Sequence, residues 1–257
     1  MIFFWKSKLL KSIRSNNTNE FLLIMSQYGE KTFDLICKGS FKNILYESIR
    51  YKSEEIYNFL IKSPNLNKII NVHEYPIFRA IIDNEINKTI ELLNLGANPN
   101  LTRNTSYVGS YYCSSQEMFE VILRDNRFII SFKSVIEYGT LENSKIAIER
   151  SDSRENPLYF AIEWDKLEFT QEFIQYSKFI NETDQIFNIK PVFVACNQKN
   201  IEHLNCLIKA GVDLNVFNEE GDKPLHVTCE NGFIEHTKLL LENGCSLHDL
   251  NKGDSTP

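Results

Sequence analysis

Four prolines recur at a nearly constant interval, and this interval constrains the fold more than any other feature of the sequence. They are separated by 34, 33 and 33 residues and comprise Pro157, Pro191, Pro224 and Pro257. A glycine follows Pro191 and Pro224 after 20 residues, and Pro76 and Gly96 repeat that distance upstream. Proline is favoured at the first position of a helix, and glycine just past a helix end, where φ is positive. Because 20 residues hold two short antiparallel helices, we predict a unit that buries its apolar face by stacking on copies of itself.

The best-formed unit runs from Gly221 to Asn251 and reads GDKPLHVTCENGFIEHTKLLLENGCSLHDLN. Its Pro-Leu-His opening, its Asn-Gly between the helices, its triple leucine and its closing glycine resemble an ankyrin repeat. Segments that begin at Lys190, Asn156 and Tyr75 carry the same skeleton. The resemblance implies an all-α fold, an ankyrin-repeat solenoid of stacked helix-turn-helix units with projecting loops.

We predict one array over residues 1–257, with seven units. Three of them are placed by the period alone, from Leu9 to Gly29, from Asn43, and with Phe119 at the proline position. The approximate units are residues 8–36, 42–70, 75–104, 117–150, 156–188, 190–217 and 221–250, and residues 251–257 start a further repeat. We expect the array to continue beyond Pro257, or its last helices to fray.

Packing requirements give two expectations inside the units. Small residues on the first helices, at Ala80, Ala161, Ala195 and Thr228, should be buried because larger side chains would hold neighbouring repeats apart. In the triple leucine we expect Leu239 to be buried.

The residue before each proline departs from the family, which has a threonine that caps the first helix. Tyr75, Lys190 and Lys223 stand in that place, and only Asn156 and Thr256 can cap. Each lost cap costs about 1 kcal/mol. We therefore predict a solenoid of modest stability that is held by stacking.

Charge argues against nucleic acid as a partner, because the chain has a formal net charge of −6. Residues 1–70 hold 11 Lys and Arg against 6 Asp and Glu, a net charge of +5, and the remainder carries −11. This asymmetry either steers a partner of matching polarity or reflects ordinary solvated faces. No apolar run has the roughly 20 residues of a membrane span. The apolar start MIFFW is either an amphipathic cap on the first repeat or a peripheral membrane anchor.

Cysteine and histidine positions follow the repeat rather than a metal site. Cys196 and Cys229 are 33 residues apart, as are His203 and His236, and no C-x-x-C pair exists. Unpaired cysteines fit a reducing compartment, the cytoplasm, or a host-cell cytoplasm for an effector. Phosphate-binding and hydrolase motifs are absent from the sequence. We predict no metal, no cofactor and no enzymatic activity.

Two stretches depart from the regular repeat interval, and one of them suggests binding. The loop over residues 101–115 is longer than its counterparts and polar, and it carries Tyr107, Tyr111 and Tyr112. Tyrosines are favoured at interfaces, although these could equally fold back on the repeats. A second candidate surface lies on a loop of regular length that carries Glu219, Glu220 and Asp222. Residues 139–157 suggest a mixed-charge loop, at most with one helical turn.

We interpret the protein as a non-enzymatic, monomeric scaffold that binds a partner protein through the concave face and the loops between repeats. The alternative is a targeting segment of a larger effector or host-modulating protein. An enzyme with an unrecognised site is the third hypothesis.

Overall fold

The structure is a computed structural model, and it describes residues 4–38, 42–71, 75–100, 113, 115–150 and 154–257. In these ranges the chain is helical, and the only strand-like pairing is one antiparallel bridge between Asp184 and Ile189. The predicted all-α fold class is thus confirmed. The chain divides into two compact units, Met1–Ile130 and Ser131–Pro257.

The first unit is built from stacked helix pairs. Its helices are α1 Phe4–Arg14, α2 Thr18–Cys37, α3 Ile44–Arg50, α4 Glu54–Ile61, a 3-10 helix Leu66–Lys68, α5 Pro76–Ile82, α6 Ile86–Asn94 and α7 Gln116–Leu123. The pairs α1–α2, α3–α4 and α5–α6 follow one another, and α1 packs on α3 and α3 on α5. Helix α7 packs on α6. The first helices therefore form one layer of the unit.

The second unit repeats this arrangement. Its helices are α8 Phe132–Tyr138, α9 Leu141–Arg150, α10 Pro157–Glu163, α11 Leu167–Phe173, α12 Lys178–Asn181, α13 Pro191–Asn197, α14 Ile201–Lys209, α15 Pro224–Glu230 and α16 Ile234–Glu242. Helices α8, α10, α13 and α15 pack in sequence as one layer, and α9, α11, α14 and α16 as the other. The short α12 lies against α10 and α13.

Small residues lie where the first helices meet. Ala80, Ala161, Ala195 and Thr228 are all fully buried, which confirms the packing expectation. The triple leucine differs from the prediction, because Leu239 is only half-buried and the fully buried residue is Leu240.

Glycine ends three of the second helices in the same way. Gly96 has a φ of 91°, its N–H donates to the Leu93 carbonyl, and the Ala97 N–H donates to the Leu92 carbonyl. The same pair of bonds recurs at Gly211 and Gly244, also at positive φ. Glycine at positive φ therefore follows these helix ends, as the 20-residue interval between proline and glycine predicted.

Helix caps agree with the sequence. The Asn156 side chain accepts the Leu158 N–H at 3.0 Å, whereas Tyr75, Lys190 and Lys223 form no side-chain cap. Asn43 was placed at the proline position, but it lies one residue earlier, as the cap of α3.

Two units placed by the period alone have a different register. Gly29 was predicted to end a helix, but it lies inside the 20-residue α2. Phe119 was predicted to begin one, but α7 begins at Gln116, where the Ser115 hydroxyl accepts the Met118 N–H. The period locates helices only where proline and glycine mark their ends.

Residues 141–150 form helix α9, although the sequence suggested a loop. Gly139, which lies 20 residues after Phe119, has a φ of −92° and connects α8 to α9. Helix α9 is polar and buries only Ser144 and Ala147, so its apolar pattern is weak. The boundaries of the seven predicted units remain a prediction.

Candidate functional site

The predicted binding residues fall into two groups. Tyr107, Tyr111 and Tyr112 lie outside the described residues. Glu219 and Glu220 are exposed between α14 and α15, as a binding role requires. Asp222 is half-buried, and its carboxylate accepts a hydrogen bond from the Asn251 amide at 2.6 Å. Its side chain therefore links this loop to the later segment that carries Asn251.

The loop over residues 182–190, here called the first finger, is organised by one buried carboxylate. Asp184 Oδ1 accepts the backbone N–H groups of Ile186 and Phe187, both at 2.9 Å. Its Oδ2 accepts the Asn156 N–H at 2.7 Å. The tight turn that results leaves Ile186 and Phe187 exposed by 52% and 49%. A fixed turn thus presents two large apolar side chains to solvent.

Two aromatic side chains of α10 contact the Phe187 ring. It stacks on Tyr159 with ring centroids 4.3 Å apart and planes 14° from parallel. The buried Phe160 meets it edge-on at 5.9 Å. Both residues belong to α10, so the first helix of one repeat holds the side chain at the finger tip.

The next loop, residues 213–223, is called the second finger and carries another exposed aromatic ring. Phe217 is 39% exposed, and the ammonium groups of Lys223 and Lys252 lie 5.5 and 5.4 Å from its centroid. Lys223 also pairs with Asp249 at 3.1 Å. These cation–π contacts restrict the ring.

An open groove of about 340 Å³ separates the two fingers. Its apolar lining includes Phe187, Phe217 and the buried Phe193 of α13, and its polar rim includes Asn188, Glu219 and Glu220. We call this space the finger groove. A hydrogen bond from the Asn188 amide to the Glu219 carboxylate joins the fingers across it.

Carboxylates dominate the electrostatics near the first finger. Burial raises the pKa of Tyr159, and the negative charges of Glu163 and Asp184 raise it further. Lys190 is the one cation among the described residues of the lining, and its ammonium donates to the Asn181 carbonyl at 3.2 Å.

The His203 ring forms hydrogen bonds with the preceding repeat. The fully buried His203 bonds Asp165 through Nε2 and Thr170 through Nδ1, each at 2.9 Å. If Nε2 carries the proton, it donates to the carboxylate and Nδ1 accepts from the hydroxyl. Hydrogen bonds with Asn200 and His203 lower the pKa of Asp165. This network links α14 to the preceding repeat.

The described part of the chain contains no cluster of three or more His, Cys, Asp or Glu that could hold a metal ion. The thiol of Cys196 is buried, and burial raises its pKa. Such a thiol is a packing group rather than a reactive one.

The sequence interpretation missed Phe187 and Phe217, because both lie outside the repeat pattern. One signal was present in the segment DQIFNIK, Asp184 to Lys190, where Asp and Asn flank two apolar residues. Asp and Asn favour turns by bonding nearby backbone groups, so apolar residues between them are candidates for an exposed tip.

No helix among the residues in the described ranges has both the length and the apolar character needed to cross a membrane.

Comparisons with known proteins give one family match and a structural similarity. Residues 158–254, which contain most of α10 and all of α11 to α16, match the family model described as ankyrin repeats (3 copies). No curated protein matches the chain. Among solved structures, the ankyrin repeat domain of Bcl-3, described as a unique member of the IkappaB protein family, is similar with a TM-score of 0.47 and 13% identity. That alignment covers 97% of this chain and 91% of the other. The family match and the stacked helix pairs identify residues 158–254 as ankyrin repeats.

Proposed function

We propose that the protein is a non-enzymatic scaffold that binds another protein through the finger groove and the neighbouring first helices. Ankyrin repeats generally mediate protein–protein interaction, and the repeat fold is typically non-enzymatic. The observation that carries the proposal is the exposed Phe187 on a turn fixed by the buried Asp184.

A fixed aromatic tip favours binding for an energetic reason. Side chains that become ordered on binding cost about 0.5–1.5 kcal/mol each. Phe187 is already held by Tyr159, and Phe217 by two lysines, so a partner need not order them. Buried aromatic anchors contribute much of the affinity in many interfaces.

The proposal also includes the binding residues, the oligomeric state and the location that the sequence predicted. Tyr107, Tyr111 and Tyr112 form a second contact surface, and Glu219, Glu220 and Asp222 belong to the groove side. The protein acts as a monomer in the cytoplasm, where the free thiols of the described cysteines fit a reducing environment.

The groove is tested by affinity capture from the native cell with quantitative mass spectrometry. The variant Phe187→Ala/Phe217→Ala should lose the partners that the wild type captures. The matched control Ile234→Ala/Leu247→Ala changes two other exposed apolar residues of the same unit and should keep them. Equal capture by both double variants would show that the groove is not the interface.

The tyrosines need a separate test. Shortening the loop by removing Asn104 to Ser114 should change the free energy of unfolding by about 1 kcal/mol or less, because loop-closure entropy varies slowly with length. Changing Tyr107, Tyr111 and Tyr112 to alanine should weaken partner binding by about 2 kcal/mol, the loss expected for interface anchors. Unaltered affinity would remove these tyrosines from the interface.

A further inference from the structure

We propose that the finger groove binds a basic linear segment of the partner, in which Lys or Arg residues flank one large apolar side chain. This inference rests on the proposed function and adds the chemistry of the partner. It follows from the size of the groove, from its apolar lining and from the charge around it.

The size of the groove favours a peptide segment. A volume of about 340 Å³ lies at the low end of pockets that take small ligands. Phe193 lines it as a buried residue, and Phe187 and Phe217 line it as partly exposed residues. One aliphatic or aromatic side chain that enters between the two exposed rings removes apolar surface of both rings from water, which favours binding.

The rim supplies negative charge beside this apolar site. Glu219 and Glu220 are exposed, and Glu220 forms no ion pair among the described residues. Glu219 already accepts from the Asn188 amide, which orients its carboxylate. A carboxylate has about four acceptor positions, so Glu219 retains positions for a Lys or Arg of the partner.

The cations nearby are engaged by the protein itself. Lys190 donates to the Asn181 carbonyl, and Lys223 pairs with Asp249 and lies over Phe217. Lys252 also lies over the Phe217 ring, on the second-finger side of the groove. Among the described residues that line the groove, Glu219 and Glu220 therefore outnumber the single lysine, Lys190.

The net charge of the second unit also favours a basic partner segment. Residues 131–257 contain 12 Lys and Arg against 21 Asp and Glu, a net charge of −9. Exposed glutamates also end two first helices of this unit, Glu163 on α10 and Glu230 on α15. A field of this sign attracts basic segments and repels acidic ones, nucleic acids included.

The test begins with random 12-residue peptides displayed on phage and selected on the full chain. Selected peptides should carry more Lys and Arg than Asp and Glu, next to a Phe, Leu, Ile or Trp. The affinity of one selected peptide is then measured by fluorescence anisotropy. Glu219→Lys/Glu220→Lys should weaken binding about tenfold or more, and Phe187→Ala/Phe217→Ala should weaken it similarly.

The control variant Glu235→Lys/Glu242→Lys changes the net charge of the chain equally, on exposed positions of α16. It should weaken binding by no more than about threefold, because distant exposed charges are screened at physiological salt. Replacing the basic residues of the peptide with Glu should abolish binding to the wild type and restore it to Glu219→Lys/Glu220→Lys.

The outcomes separate the inference from the proposed function. Selected peptides that are acidic or uncharged, or whose affinity is equal in both charge-reversal variants, overturn the basic-segment inference while the binding function stands. If the protein selects no peptide, the basic-segment inference is overturned. If it also captures no partner from the cell, the proposed binding function is overturned as well.

Discussion

The carboxylate of Asp184 accepts the backbone N–H of Phe187 at 2.9 Å, and the aspartate is fully buried. Two further backbone N–H groups, those of Ile186 and Asn156, donate to the same side chain. A buried charge is stable only when hydrogen bonds replace its hydration, and here three donors do so. The exposed aromatic tip therefore depends on an interior residue that no partner can touch.

The first prediction tests how much the buried carboxylate of Asp184 contributes to the free energy of unfolding. Asp184→Ala leaves three backbone N–H groups without their acceptor and should lower the free energy of unfolding by about 3 kcal/mol, as measured by urea denaturation. Glu182→Ala, an exposed change of the same charge in the same finger, should alter it by no more than about 0.5 kcal/mol. Equal losses in the two variants would contradict the supporting role of Asp184.

The second prediction concerns the triple leucine of α16. Leu240→Ala removes a fully buried side chain and should cost about 2–5 kcal/mol of unfolding free energy. Leu239→Ala should cost clearly less, because Leu239 is only half-buried. Thermal or urea denaturation of the two variants ranks them directly. A larger loss at Leu239 would mean that α16 is rotated about its axis relative to the structure.

The parts of the fold that the sequence predicted are those with local conformational requirements. Proline at a helix start and glycine at positive φ after a helix end are demanded by the backbone itself, so Pro191 and Gly211 mark the same positions in sequence and structure. The buried alanines follow from close packing between repeats. None of these signals depends on distant parts of the chain.

The features that escaped prediction are tertiary. Helix α9 has few apolar residues, so only its packing against α8 and α11 makes it part of the stack. The exposure of Phe187 depends on a turn whose acceptor reaches back to Asn156, 28 residues away. Sequence reasoning favours burial for such a phenylalanine, so the residues it named include Glu219 and Glu220 on the rim of the groove but no residue of the aromatic lining.

The third prediction uses backbone strain between α3 and α4. Lys52 has a φ of 53°, a conformation that costs a residue with a side chain about 1–2 kcal/mol relative to glycine. Asn84 has a φ of 55° in the equivalent turn of the next pair, and Gly232 has a φ of 66° between α15 and α16. Lys52→Gly should therefore raise the free energy of unfolding by about 0.5–1 kcal/mol, after the entropy that glycine adds to the unfolded chain.

The control for this change is the same substitution at negative φ. Lys62 follows α4 with a φ of −87°, so Lys62→Gly relieves no strain and should lower stability. If both glycine variants are destabilised equally, the positive φ at position 52 is not strained.

The fourth prediction is a pH dependence that arises from His236. Burial lowers the pKa of this imidazole, although a hydrogen bond with the Gln198 backbone partly opposes the effect, and Nε2 has no hydrogen-bond partner. The unfolded chain therefore takes up the proton at a higher pH than the folded chain. Stability from the neutral imidazole is complete above about pH 6.5 and is lost as pH falls from there towards the lowered folded pKa. The slope for one such group is at most about 1.4 kcal/mol per pH unit.

Urea denaturation at pH 7.5, 6.5 and 5.5 measures this slope in wild type, His236→Gln and His248→Gln. The exposed His248 is the control, and its variant should keep the wild-type decline towards pH 5.5. His236→Gln should be less stable than wild type at pH 7.5, because a less well packed amide replaces the buried ring, yet its stability should fall less between pH 6.5 and 5.5. A decline in His236→Gln as steep as that of the wild type would assign the acid sensitivity to other groups. Protonation of His236 would then have no effect on the free energy of unfolding.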